Sequence, residues 1–217
     1  MSTYLHGENG ITYALFTALD DIDKMNYFLK FITYHPSTSK LKEEYSWPEI
    51  HVFPSFGRKN GIGEPDVMIL HGTNLFVVEV ETASHAKGGL PHNFYDQFQR
   101  FIDLGITLER DKSSGRKKMG KNPVAVANTE KYFKGEFRTR KFYQTLMARG
   151  IQQYYYILIS NDHKDYIEKN VNQIYSKFTF EGNHHFGWIG LNSVKRFTCF
   201  DDNTKQMIQE TIDYNLK

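Results

Sequence analysis

Cysteine is nearly missing from this sequence: there is one, Cys199, among 217 residues. A lone thiol closes no intramolecular disulfide, and no C-x-x-C or Cys/His ligand spacing occurs, which argues against a disulfide scaffold or a structural zinc site. A reducing, intracellular setting is expected. Long apolar runs are missing too. No stretch approaches the roughly 18 to 20 apolar residues of a membrane span, and the opening MSTYLHGENG has no basic segment followed by an apolar core. The expectation is a soluble, cytoplasmic protein. Nor does charge of one sign dominate. Lys and Arg number 27 against 25 Asp and Glu, a formal net charge of +2, so overall charge points to no polyanionic partner. Low-complexity tracts, internal repeats and convincing linkers do not occur.

What is present is an ordinary globular mixture, 40% hydrophobic and 24% charged, with 17 Phe and 14 Tyr to fill a core. The length suits one domain spanning 1–217. Ile11 to Leu29 repeats apolar residues at helical spacing, with a break expected near Asp20-Asp21. EIHVFPSF, from Glu49 to Phe56, alternates like a strand and enters the Gly-rich GRKNGIG. Two short apolar runs follow, Val67 to Leu70 and Leu75 to Val80.

Phe94, Phe98, Phe101 and Ile102 then predict a helix that Gly105 could end. Glu136 to Arg149 reads as another helix, and QQYYYILIS, 152–160, as the strongest strand. Asn161-Asp162 are cap residues for a helix from about Lys164 to Phe178. FGWIGLN is a further strand. Asp202 to Leu216 is a terminal helix, with Met207, Ile208 and Ile212 on a side that suits core packing or a dimer contact. Strands, a helical crossover and a late strand able to add in parallel predict an α/β protein with a mixed sheet flanked by helices.

The first two apolar runs raise the functional question, because GIGEPDVMILHGTNLFVVEVET sets Glu64, Asp66, Glu79 and Glu81 among them. If Gly72-Thr73 is a two-residue hairpin turn, opposed residue numbers sum to 145. Asp66 then faces Glu79, Met68 faces Val77, Leu70 faces Leu75, and Glu64 faces Glu81. Side chains alternate along a strand, so the four acids share one surface at the open end of the hairpin. Val67, Ile69, Phe76 and Val78 take the other. Partly buried carboxylates at such spacing repel, which calls for a positive partner. Mg²⁺ suits them: it takes oxygen ligands, needs one or two carboxylates, and keeps positions for water and substrate phosphate. A phosphodiester is the substrate that such an ion would serve.

Pro65-Asp66, a gap of twelve residues and then Glu79-Val80-Glu81, with apolar strand on both sides, resembles the PD-(D/E)xK nuclease superfamily. The resemblance implies a restriction-endonuclease-like core, αβββαβ, with additional C-terminal elements. Residues 8 to 160 fit that order if a basic insertion occupies about 107–135. GRKNGIGEPD and EVET look most like the archaeal Holliday-junction resolvases and their viral relatives, and a virus- or mobile-element-encoded origin would accord with that likeness.

By position, the resemblance makes Asp66 and Glu79 metal ligands, with the Val80 carbonyl as a third. Glu8 becomes the first-helix acid that orients water or a second metal, and Gln97 the helix glutamine that contacts the site or the DNA backbone. Glu81 stands where the family usually has lysine. As an added carboxylate it would bind a second cation or hold the attacking water, and Lys87 is near enough to be a displaced lysine. The implied activity is Mg²⁺-dependent endonucleolytic cleavage of DNA by a homodimer, on junction or branched substrates, with Mn²⁺ able to substitute.

Each candidate also has a plain structural reading. Glu81 could be a surface acid at a strand end, and Glu64 a loop partner for Arg58 or Lys59. Glu8 could be a favourable acid in a helix's first turn. Gln97 could be an idle helix-face residue, with Gln99 as the alternative. Arg58 and Lys59 precede the site and suit phosphate contacts. Arg116, Lys117 and Lys118 lie in RDKSSGRKKMGK, 110–121, which reads either as solvated loop or, with the basic run 131–141, as a backbone-holding surface. His184-His185 lacks a third ligand and reads as a loop pair. The alternatives to the nuclease are a catalytically idle DNA-binding or assembly protein on the same fold, and a metal-dependent RNase.

Overall fold

The computed structural model describes residues 7–35, 41, 46–52, 65–82, 94–113, 145–146, 148–161 and 167–215. The first amphipathic stretch forms two helices, α1 (Gly7–Ala18) and α2 (Ile22–Lys30), parted at the acids where a break is expected. Asp21 causes the restart. Its side chain accepts the backbone N–H of Lys24 at 2.8 Å, supplying a partner that a helix's first turn lacks.

Strands β1 (Thr33–His35), β2 (Glu49–Val52), β3 (Val67–His71) and β4 (Asn74–Glu81) follow, then α3 (Phe94–Ser113) and β5 (Gln153–Ser160). A π-helical segment, Ile167–Val171, runs into α4 (Asn172–Lys177), and the chain continues through β6 (His184–Gly190), α5 (Leu191–Lys195) and α6 (Asp202–Asn215). The described strands make one sheet in the order β1-β6-β5-β4-β3-β2. β2, β3 and β4 form an antiparallel meander, β5 and β6 add in parallel, and β1 closes the far edge antiparallel. This is an α/β protein with a mixed sheet flanked by helices. α3 and α4 carry the two crossovers that parallel neighbours require.

The hairpin has the expected register: Val67 opposes Val78, Met68 opposes Val77, and His71 opposes Asn74 across Gly72-Thr73. Gly72 opens the turn at φ +60°, a conformation that an L side chain adopts only with strain. Alternation then sorts the side chains into two cores. Met68, Leu70, Leu75 and Val77 pack with Tyr154, Tyr156 and Phe186 beneath α3 and α4. Val67, Ile69, Phe76, Val78 and Val80 pack with Ile157 and Ile159 beneath α1, α2, α5 and α6.

Five expectations change. Gly105 does not end α3, which continues to Ser113. A Cβ at Gly105 would fall far inside contact distance of the Tyr156 hydroxyl, so this glycine admits a close helix-to-sheet approach. The helix also runs past position 107, where the basic insertion was expected to begin. His184 and His185 are not a loop pair; both are buried in β6. In α6, Ile208 and Ile212 are buried but Met207 is exposed, so the packed face is narrower than expected. β1, three residues long, had no counterpart in the expected order. Of the helix expected over 136–149, the described positions are 145, 146 and 148, which are helical, and 149, which is already in a turn. Among the described residues, no helix is long and apolar enough to cross a membrane.

Candidate functional site

Pro65 precedes β3 and has no N–H to add to the ladder. The next side chain takes over. The Val80 backbone N–H donates to Asp66 Oδ2 at 2.7 Å, joining the entry of β3 to the exit of β4. Along a strand, a residue's N–H and C=O point to the same side, so the Val80 carbonyl also faces Asp66. Continuing the observed register by one residue sets Asp66 opposite Glu79, where Cβ atoms lie about 5 Å apart. Asp66 shares parity with Met68 and Leu70, and Glu79 and Glu81 with Leu75 and Val77. All three acids therefore belong to the face covered by α3.

Glu79 is 8% exposed and Glu81 5%, both within the last turn of alternation of β4. One oxygen of each, Oε2, is out of reach of solvent. Two positions along a strand span about 6.7 Å, and at an effective dielectric near 20 two full charges at that separation repel by about 2 kcal/mol. The site also lies at the carboxyl ends of the parallel strands β4, β5 and β6, the edge at which open α/β sheets bind ligands.

The donor set is entirely oxygen: the two carboxylates of Asp66 and Glu79 and a backbone carbonyl. That chemistry fits a hard divalent cation. Among the described residues no group of three or more His, Cys, Asp or Glu side chains is gathered closely enough to hold a metal. What the described acids offer is the pair Asp66 and Glu79 beside the Val80 carbonyl. Such a pair is sufficient for Mg²⁺, which ordinarily completes its shell with water and phosphate oxygens.

Glu8 lies in the first turn of α1 and Gln97 in the first turn of α3; the placement of their side chains lies outside the described structure. Gln99, the alternative to Gln97, is exposed and donates to Asp103 Oδ1 at 2.9 Å, i to i+4 along the helix. Glu64, Arg58, Lys59, Lys87, Arg116, Lys117 and Lys118 lie outside the described residues. Sequence reasoning did not find Ser160 and Trp188, which stand on the acids' face. Ser160 is in register with Glu81, and the Trp188 indole N–H donates to Ser160 Oγ at 2.8 Å. The signal was there in the parity of QQYYYILIS and FGWIGLN, once the two strands are known to be parallel neighbours.

At the opposite end of the same strands lies a second polar group. His184 Nε2 is 3.0 Å from Glu109 Oε2, and a carboxylate only accepts, so Nε2 carries the hydrogen. In the neutral ring, Nδ1 then accepts from the Tyr156 hydroxyl at 2.8 Å. Burial and the neighbouring Tyr154 hold the Tyr156 phenol well above its usual range. This group, with Tyr156 and His184 buried and Glu109 half-exposed, ties α3 to β5 and β6 at the end of the strands away from Glu79.

No family model matches this sequence, and no curated protein or solved structure matches it either.

Proposed function

We propose that the chain is a divalent-metal-dependent endonuclease acting on DNA, with Asp66 and Glu79 as its metal-binding pair. The observation that carries this reading is the Asp66 carboxylate fixed to the Val80 N–H, opposite Glu79 and on the face of Glu81. The order of elements adds support: a helix, an antiparallel three-strand meander, a helix and a parallel strand are what a restriction-endonuclease-like core requires.

Asp66, Glu79 and the Val80 carbonyl would hold Mg²⁺ or Mn²⁺. The ion, when bound, supplies Lewis-acid activation of water and charge neutralisation at the phosphodiester. Asp66 would enter the site with its Oδ2 already anchored by the Val80 N–H. Glu81, one step nearer the strand end, orients the attacking water and takes its proton. Glu8 and Gln97, each in a helix's first turn, are the candidates for a second ion and for the DNA backbone.

Two observations favour the idle DNA-binding reading instead: Glu81 stands in the usual place of a lysine, and the described acids do not form a three-ligand group. One experiment separates the readings. Supercoiled plasmid and branched DNA are incubated with Mg²⁺ or Mn²⁺ and the full chain or Asp66→Asn. Metal-dependent cleavage that the variant loses supports the nuclease. Retention of DNA by both proteins, with no cutting by either, contradicts it and supports the binding protein; an RNA substrate in the same assay addresses the RNase.

A further inference from the structure

The row of residues that crosses the sheet through Glu79 carries an aromatic group of a different character. Glu79 pairs with Leu158, and Leu158 with Trp188. Residues paired across adjacent strands share a face, so Trp188 stands on the side of the acids, two strands away, about 10 Å between backbones. The next row toward the strand ends is Glu81, Ser160 and Gly190. Trp188 leans into that row, donating its Nε1–H to the fully buried Ser160. Gly190 has no side chain to cover the ring there.

The indole is thus held by its only polar atom while part of its surface stays exposed. Phe186, two residues earlier on the same face, makes a useful contrast. It is enclosed by Phe98, Tyr175 and Phe180, with ring centroids 5.1 to 5.7 Å away. Among the described residues no ring pairs with Trp188. Trp188 packs against the edge of that same core but is only half-buried by it.

We propose that Trp188 is a base-stacking platform serving the acidic site, so that the substrate is DNA with an unpaired nucleotide beside the phosphate held there. This rests on the nuclease reading above. Every base has a π-face that an aromatic side chain can cover, and stacking of this kind tolerates any sequence. In a continuous duplex both faces of each base are already taken by its neighbours. A fixed ring this close to the phosphate site therefore selects a single-stranded arm, flap or gap over intact duplex.

The test uses the full chain carrying Trp47→Phe. The protein has two tryptophans and Trp47 is 69% exposed, so the change leaves Trp188 as the sole indole. A labelled 12-nucleotide thymidine strand and a blunt duplex of equal length are titrated in Ca²⁺, with tryptophan emission and DNA anisotropy read together. The expected result is quenching of Trp188 by the single strand and none by the duplex. Adding Trp188→Ala should weaken single-strand binding by roughly fivefold to a hundredfold and leave duplex binding within about twofold, while Trp188→Phe, which keeps a ring, should retain most of the affinity.

Single-strand binding without quenching overturns the platform, as do equal losses for strand and duplex in Trp188→Ala, or no binding of either DNA. If the alanine variant does not fold, the quenching comparison in the Trp47→Phe protein decides alone. The same protein in Mg²⁺ separates the two proposals. Quenching with no cleavage of any DNA sinks the nuclease reading and leaves the platform; cleavage of strand and duplex alike without quenching sinks the platform only.

Discussion

Replacing Gly105 with alanine sets two well-defined effects against each other. The residue is in the interior of α3, where alanine is favoured over glycine by about 1 kcal/mol from helix propensity alone. The methyl group, however, would collide with the Tyr156 hydroxyl and come within 3.2 Å of Tyr154 Cδ1 and 3.3 Å of His184 Cε1. Tyr156 is fully buried, and its hydroxyl lies 2.8 Å from His184 Nδ1 and 3.4 Å from the Ile102 carbonyl, so it cannot turn away without losing partners. Overpacking a core costs about 1–3 kcal/mol, and loss of the buried Tyr156–His184 hydrogen bond about 1–2 more. The expected net effect of Gly105→Ala is a destabilisation of about 1–4 kcal/mol. Urea unfolding followed by far-UV circular dichroism measures it, and the double variant with Tyr156→Phe, which removes the obstructing oxygen, should show a smaller penalty for the same glycine change. A more stable Gly105→Ala protein, or an equal penalty in both backgrounds, would refute the close-approach explanation.

Further predictions concern pH, a second glycine and the acids. Burial lowers the pKa of His71, and burial followed by the neighbouring His184 lowers that of His185. The unfolded chain then binds more protons than the folded one below about pH 6.5. Stability is therefore complete above that value and declines as pH falls from 6.5 toward the lowered folded values; a urea midpoint that stays level or rises between pH 7 and 5 would contradict this. Gly187→Ala in β6 would place a methyl 2.5 Å from both Ile157 Cδ1 and Ile32 Cγ2, and should lower stability by about 1–3 kcal/mol in the same unfolding assay. Asp66→Asn keeps an acceptor for the Val80 N–H, so its unfolding free energy should stay within about 1 kcal/mol of the parent while metal-dependent DNA cleavage is lost; retained cleavage would remove Asp66 from the site.

The hairpin and its register are legible in the sequence alone because they depend on local chemistry. Gly72-Thr73 is a turn that only certain residues make, and two-residue alternation then assigns Asp66, Glu79 and Glu81 to one face without reference to the rest of the chain. β5 was legible for a similar reason, as an unbroken apolar run suited to a strand covered on both faces. The features that were missed depend on tertiary contacts. Gly105 resembles a helix stop until the Tyr156 hydroxyl beneath it is known. His184-His185 follows the turn residues Gly182-Asn183 and resembles loop until Glu109 and Gln153, from remote parts of the chain, receive the two rings. β1 is too short to alternate and exists only because β6 offers it an edge. Trp188 and Ser160 join the acids' face through the parallel pairing of β4, β5 and β6, which no local pattern encodes.

The most direct measurement is anomalous scattering from crystals grown with Mn²⁺. Should the acids form the metal site of a nuclease, a manganese ion lies about 2.0–2.2 Å from carboxylate oxygens of both Asp66 and Glu79, with the Val80 carbonyl in its shell, and the peak vanishes in Asp66→Asn. Crystals in which no ion sits between these two residues, or in which the ion persists unchanged in the variant, would contradict it.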